Sequence, residues 1–261
     1  MSNQIPPIPA ECNVPISGAV NLKGKVAIIT GAKGGLGQAT SYALAQAGAK
    51  VTVSDIMACE ETMEELKKMG ADCIDVITDV TKEDQCNNLV DATLKAFGRV
   101  DILVNSAGVL ELTPIDKLSL EEWNKVIDID LTGTFLCTKA VWSTMKAQKS
   151  GNIICLSSLA ARIGGALSGP HYVAAKSGVQ GLVKWCAKYG APDGIRANTV
   201  APGLIWTPMT TGYPYPESAA PVGRIGRAED IAQTILFLVS DMSNYMTGCT
   251  LDVNGGLFPN S

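Results

Sequence analysis

The sequence predicts an α/β fold built as a three-layer, doubly wound parallel sheet with helices on both faces, and three observations carry that expectation. Short, continuous β-rich apolar runs recur along the chain, the pattern of strands buried on both faces. Segments of helical pattern, several of them stopped by glycine, separate one run from the next. The 261 residues, 46% hydrophobic and 18% charged, suffice to bury a substantial core as one large α/β domain in preference to two small ones. In such a sheet, ligands are expected at the C-terminal ends of the strands.

Taken in order, residues 1–21 carry Pro6, Pro7, Pro9 and Pro15 and read as an extended arm, leaving 22–261 as a single domain. Lys25 to Thr30 is the first buried strand and runs directly into a glycine-rich turn. A helix over Gln38–Ala47 stops at Gly48, and Lys50 to Ser54 completes a β-α-β unit. The alternation continues with a helix from about Glu60 to Met69, a strand at Cys73–Ile77, and a helix over Lys82–Phe97 capped by Thr81. Asp101 to Asn105 is the next strand. Ser119-Leu120-Glu121-Glu122 is a capping box that opens one long helix reaching towards Lys146. Strands at Asn152–Leu156, Ile195–Val200 and Cys249–Val253 alternate with helices at Tyr172–Tyr189 and Ala228–Ser240.

A net charge of −4 and an isoelectric point near 5.1, with no basic cluster, argue against nucleic acid or an anionic membrane as the main partner. No apolar run approaches the roughly 18 residues that span a bilayer, and no signal peptide is visible, so a cytoplasmic protein with a small-molecule task is expected. Eight scattered cysteines without a C-x-x-C pair, together with the lone His171, argue against a disulfide framework and a zinc site.

Thr30-Gly31-Ala32-Lys33-Gly34-Gly35-Leu36-Gly37 is the first chemical motif. Its glycines permit a tight turn and let backbone approach a pyrophosphate, whose charge the following helix N-terminus receives. Asp55, ending the second strand, is placed to accept hydrogen bonds from an adenine ribose and to repel a 2′-phosphate, which favours NAD over NADP. Lys33 would partly offset that repulsion, and capping of the next helix is the alternative role for Asp55. Asp79 and Val80 follow the third strand, where the adenine edge would lie. Tyr172 and Lys176 stand four residues apart, one turn along the same helical face. A fixed ammonium there favours the phenolate, which makes the pair an acid/base device.

The glycine-rich loop, Asn105-Ser106-Ala107-Gly108, Ser157-Ser158, Tyr172-x-x-x-Lys176 and Pro202-Gly203 occur in the order and approximate spacing of the short-chain dehydrogenase/reductase family, which the chain resembles from about Leu22 to Gly256. The resemblance implies a Rossmann-like domain with about seven parallel strands, hydride transfer with a nicotinamide cofactor, and a homotetramer. It further implies Tyr172 as catalytic acid/base, Lys176 on the nicotinamide ribose, Ser158 on the substrate oxygen, and cofactor contacts from Asn105, Ala107, Gly108, Pro202, Gly203, Ile205 and Thr207. One position departs. Asp130, in Asp130-Leu131-Thr132-Gly133, stands where the family usually has a catalytic asparagine. It implies either a modified proton relay in which the carboxylate pairs with Lys176, or a tolerated isostere.

In the family, residues 204–227 would form the substrate lid. There Trp206, Met209, Tyr213 and Tyr215 offer apolar area and two hydroxyls without a cation, pointing to a neutral secondary alcohol or ketone, cyclic ones included. Packing of the lid or a subunit contact is the alternative for these side chains. His171 faces substrate or is a structural histidine at a helix start. An acyl-carrier-protein-dependent ketoacyl reductase shares the motifs but would want a basic docking surface. A nucleotide-sensing protein without turnover would keep the fold, with Asp130 as the feature in its favour. A hydrolase is disfavoured by the absence of a Gly-x-Ser-x-Gly elbow.

Overall fold

Apolar side chains on both faces of each strand require cover on both sides, and the chain supplies helices to do it. The computed structural model describes residues 20–165, 168–212 and 218–259; nearly all of the expected arm, with Tyr213 and Tyr215, lies outside them. Strands β1 (Val26–Thr30), β2 (Lys50–Asp55), β3 (Cys73–Ile77), β4 (Ile102–Asn105), β5 (Gly151–Leu156), β6 (Ile195–Pro202) and β9 (Thr250–Val253) form one seven-stranded parallel sheet. Its order is β3-β2-β1-β4-β5-β6-β9. Two further short strands, β7 (Ile205–Trp206) and β8 (Gly226–Arg227), pair beside it.

The two-residue period of β-structure divides the core. Ala27 and Ile29 of β1, with Ile102 and Val104 of β4, pack under α1 (Gly35–Gln46) and α8 (Ala228–Val239). Ile28 and Leu103 point the other way, into the layer of α3 (Glu83–Phe97), α5 (Gly133–Gln148) and α7 (Pro170–Gly190). Each fully buried aliphatic side chain of this kind contributes about 1.5–3 kcal/mol. Helix α2 (Glu60–Lys68) begins with two glutamates and ends with two lysines, matching its dipole. The four-residue α6 (Ala160–Ile163) follows β5.

Two local expectations are corrected. The long helix is interrupted: Ser119 caps α4 (Leu120–Ile127) by accepting from Glu122 N at 3.1 Å, but Asp128–Thr132 is a π-helical turn before α5. An extra residue inserted into a helical ladder leaves the hydrophobic period on either side intact, so the pattern does not reveal it. Thr81 does not cap α3. Its N–H and hydroxyl both donate to Asp79 Oδ1, at 3.0 and 2.7 Å, and the helix starts after Lys82 without a side-chain cap.

Strand order reverses between β1, whose chain leads outwards to β2 and β3, and β4, which lies on its other side. That reversal opens a crevice at the C-terminal ends of β1 and β4.

Candidate active site

At this crevice Thr30 Oγ1 accepts from Ser106 N and Ala107 N, each at 3.2 Å, tying the turn after β1 to the turn after β4. Gly31, at φ +66°, lies so close that a Cβ on it would stand 2.7 Å from Ala107 N. Helix α1 starts at Gly35 with no side chain bonded across its N-terminus, so its leading N–H groups remain open to an anion. A cleft of about 740 Å³ extends from this turn and is lined by Gly31, Gly35, Leu36, Asp55, Asp79, Val80, Ala107, Gly108 and Thr207. Asp55 Oδ2 accepts from Lys33 N at 3.2 Å and Oδ1 from Ile56 N at 2.8 Å, so it braces the cleft mouth and does not cap α2. Asp75 Oδ2 accepts from Cys59 N instead, at 2.8 Å, just before that helix. A backbone cradle opposite an acidic side chain fits a dinucleotide with a pyrophosphate and a free ribose.

A second cavity of about 320 Å³ shares the walls Leu36, Ser106, Gly108, Val109, Thr207 and Met209 with the first. Its remaining lining brings together Ser158, Tyr172, Lys176, Asp130, Pro202, Gly203 and Ile205 with the aliphatic Leu110, Leu159, Ile163, Leu204 and Leu257. Tyr172 and Lys176 share a face of α7, with Lys176 Nζ 5.6 Å from the tyrosine ring centre. The ammonium, almost wholly buried, lies 3.1 Å from Asp130 Oδ2 and donates to Leu156 O at 3.3 Å. Asp130 itself is fully buried and takes Val109 N at 2.8 Å on its other oxygen.

Tyr172 keeps part of its surface towards the cavity, yet burial is the largest influence on its phenol and raises it above the ordinary range. Lys176 opposes that rise, Asp130 adds to it, and a hydrogen bond with Ser158 lowers it. Burial alone would lower Lys176, but Asp130 and Tyr172 hold it above its usual value. The cluster therefore combines a proton-bearing phenol, a hydroxyl within its reach, and a charge pair behind them. Such a set can move a proton to or from an oxygen held in the cavity.

Four residues expected at the site from the sequence lie elsewhere. Asn105 is buried and lines neither cavity: its amide donates to Thr138 Oγ1 at 3.1 Å and towards Cys155 Sγ at 3.4 Å, inside the helical layer. Gly37 also stays behind the cleft, where any Cβ would strike the Gly31 carbonyl, so it serves the packing of the turn. His171 has no exposed surface and stands 3.5 Å from Glu122 of α4. Successive helical residues diverge by about 100°, so a tyrosine aimed at the cavity turns the preceding histidine away from it. Trp206 follows the buried Ile205 on β7 and points to the opposite side, 43% exposed and outside both linings. Of the lid candidates that the structure describes, Met209 alone reaches the cavities.

Sequence reasoning missed the aliphatic wall formed by Leu110, Leu159, Ile163, Leu204 and Leu257. These residues fall in loops and a single helical turn, where no periodicity marks a buried face; apolar residues just past strand ends are the one signal available.

The chain is similar to known proteins over most of its length. The family model described as Enoyl-(Acyl carrier protein) reductase matches residues 31–258. A 3-oxoacyl-(acyl-carrier-protein) reductase of Synechocystis sp. is 41% identical over 90% of this chain and 98% of its own. A cis-4-hydroxycyclohexanecarboxylate dehydrogenase of Sinomonas cyclohexanicum is 40% identical over 89% of this chain and 96% of its own. The crystal structure of a short-chain type dehydrogenase/reductase from Mycobacterium marinum superposes with a TM-score of 0.89 at 33% identity, covering 92% of this chain and 98% of that one.

Proposed function

The chain belongs to the short-chain dehydrogenase/reductase family, and we propose that it is an NAD(H)-dependent oxidoreductase interconverting a neutral, compact secondary alcohol and its ketone. One observation carries this reading: Tyr172, Ser158 and the Lys176–Asp130 pair line an aliphatic cavity that opens directly onto the dinucleotide-shaped cleft.

When bound, the nicotinamide ring supplies hydride acceptance or donation. The chain supplies the rest. The Gly31–Leu36 turn and the α1 N-terminus would hold the pyrophosphate, while Asp55 would accept from a ribose hydroxyl and disfavour a 2′-phosphate. Asp79 and Val80 border the adenine end, and Ala107, Gly108, Pro202, Gly203, Ile205 and Thr207 border the remainder. Ser158 donates to the substrate oxygen, and Tyr172 takes the alcohol proton in oxidation or returns it in reduction. Leu110, Leu159, Ile163, Leu204, Met209 and Leu257 exclude water and favour an apolar body. Among the described residues of this cavity the only charges are Asp130 and Lys176, which engage each other, and this supports a neutral substrate over an acidic one.

The reading includes one catalytic domain over residues 22–261, with 204–227 as lid, in a cytoplasmic homotetramer. All seven described cysteines are free thiols, which suits a reducing compartment. On α5 and α7, Trp185 stacks on Tyr189 and lies tilted against Trp142, an aromatic surface suited to a second copy. A second reading, reduction of a 3-oxoacyl thioester on an acyl carrier, is favoured by the Synechocystis relative.

The two readings separate in one experiment. Nicotinamide absorbance is followed with NAD and NADP over alcohols, diols, steroids, sugar alcohols and a 3-oxoacyl thioester. Turnover of a neutral alcohol with NAD is expected, and Tyr172→Phe should reduce it by about 10²–10⁴-fold while NAD still binds. Preference for the thioester would install the second reading, and near-normal turnover by Tyr172→Phe would remove the acid/base assignment.

A further inference from the structure

Asp130 and Lys176 form the one ion pair among the described residues in which both side chains are almost wholly buried, and it lies in the wall of the substrate cavity. Burying two opposite charges is costly unless each is well paired and hydrogen-bonded. Here Asp130 Oδ1 accepts a backbone hydrogen bond, whereas Oδ2 meets the ammonium as an ion pair and takes no hydrogen-bond donor among the described residues. Asp130 holds the ammonium on one oxygen and Val109 N on the other, and Lys176 also reaches Leu156 O. The π-helical turn brings the carboxylate to this point, with the Asp130 carbonyl accepting from Thr134 Oγ1 at 2.8 Å. A Cβ on Gly108 would stand 3.1 Å from both Asp130 Oδ2 and Lys176 Nζ, so the turn after β4 lies directly against the pair.

We propose that Asp130 is a positioning residue that cancels the Lys176 charge beside Tyr172 and thereby biases the site towards the oxidised, cationic nicotinamide and towards alcohol oxidation. The inference rests on the oxidoreductase reading above and assigns it a direction. The oxidised ring carries a positive charge and the reduced ring carries none. With a neutral side chain at position 130, an arriving cation would meet an uncompensated ammonium; with Asp130 it meets a pair of zero net charge. The same cancellation leaves Tyr172 harder to ionise, so oxidation, which needs the phenolate as base, is displaced towards alkaline pH. The titratable groups facing Lys176 are Asp130 from the π turn, Tyr172 on its own helix and the Cys155 thiol from β5. Those acting on Tyr172 are Lys176 and Asp130, with Ser158 as a neutral partner.

The test compares wild type with Asp130→Asn, whose amide oxygen can still accept from Val109 N, and with Asp130→Ser, smaller and equally uncharged, should the amide not fit. Equilibrium titration of protein fluorescence with oxidised and with reduced NAD yields two dissociation constants. Their ratio, oxidised over reduced, should rise about tenfold in the uncharged variants, a Coulomb effect of one unit charge inside a cavity. In the cofactor-free protein, the phenolate ultraviolet absorbance assigned to Tyr172 by subtraction of Tyr172→Phe should appear about one pH unit lower, and the acidic limb of oxidation should move with it. Both shifts are required: an unchanged or falling ratio, or an ionisation that stays or moves upwards, overturns the inference. An inactive Tyr172→Phe with an unmoved ratio removes this inference alone; an active one removes the reading beneath it.

Discussion

Asp55 sits at the end of β2 with both carboxylate oxygens already accepting backbone N–H groups, so its position is held by the protein before any nucleotide arrives. A fixed carboxylate at the cleft mouth would oppose a 2′-phosphate by direct repulsion, and Lys33 would supply a single opposing charge. Asp55→Asn keeps an oxygen for the backbone and removes the repulsion. The affinity for NADP relative to NAD should therefore rise by about tenfold, corresponding to about 1.4 kcal/mol. Fluorescence titration of both nucleotides measures this, and an unchanged preference would mean that Asp55 does not meet the ribose. The cavity-facing positions of Asp55 and Tyr172 were legible in the sequence, because they follow from the end of a strand and the face of a helix. The orientation of His171 was not, because which of two adjacent helical residues faces the cavity depends on how α7 is rotated against α4.

The element on which the site turns is the π-helical turn between α4 and α5. It delivers Asp130 to Lys176, and Gly133, the first residue of α5, delivers the helix to the loop after β3. A Cβ on Gly133 would lie 2.7 Å from Val80 Cγ2 and 3.1 Å from Val80 Cβ. Val80 in turn lines the dinucleotide cleft. Gly133 has helical dihedrals, so alanine there gains about 1 kcal/mol in helix propensity. The steric conflict with a packed, β-branched neighbour costs about 1–3 kcal/mol and should win. Gly133→Ala is therefore expected to melt several degrees lower and to bind NAD more weakly, because Val80 is displaced into the cleft. Calorimetric melting and nucleotide titration check both, and a variant at least as stable as wild type would show that the α5 start can retreat.

At the scale of the whole molecule, one exposed feature among the described residues is an aromatic cluster. Trp185 and Tyr189, four residues apart on α7, stack at 4.6 Å between centroids and are 53% and 58% exposed, and Trp142 of α5 stands 5.9 Å from Trp185. The proposed oligomer would place this cluster of exposed rings against a second copy. Trp185→Glu places a charge in the centre of that face and should shift the proposed tetramer to smaller species in light scattering at equal protein concentration. A mass that does not change would relocate the contact.

The fold class was legible because it is written in local patterns. Buried runs such as Val26–Thr30 and Cys73–Ile77, and glycines at helix ends such as Gly98, repeat whatever the rest of the chain does, and each strand of the sheet fell within two residues of its expected bounds. The order of motifs along the chain likewise sufficed to place Gly31, Asp55, Ser158, Tyr172 and Lys176 at strand ends or on one helix. The tertiary structure alone decided which side chains meet. Asp130 and Lys176 are 46 positions apart and meet where the π-helical turn packs beside α7. Asn105 turned inward to Thr138, Trp206 turned outward on β7, and five aliphatic residues from three loops and one short helical turn closed the cavity. Periodicity records which face of an element is buried; the partner across that face is set by packing between elements, to which local sequence carries no period.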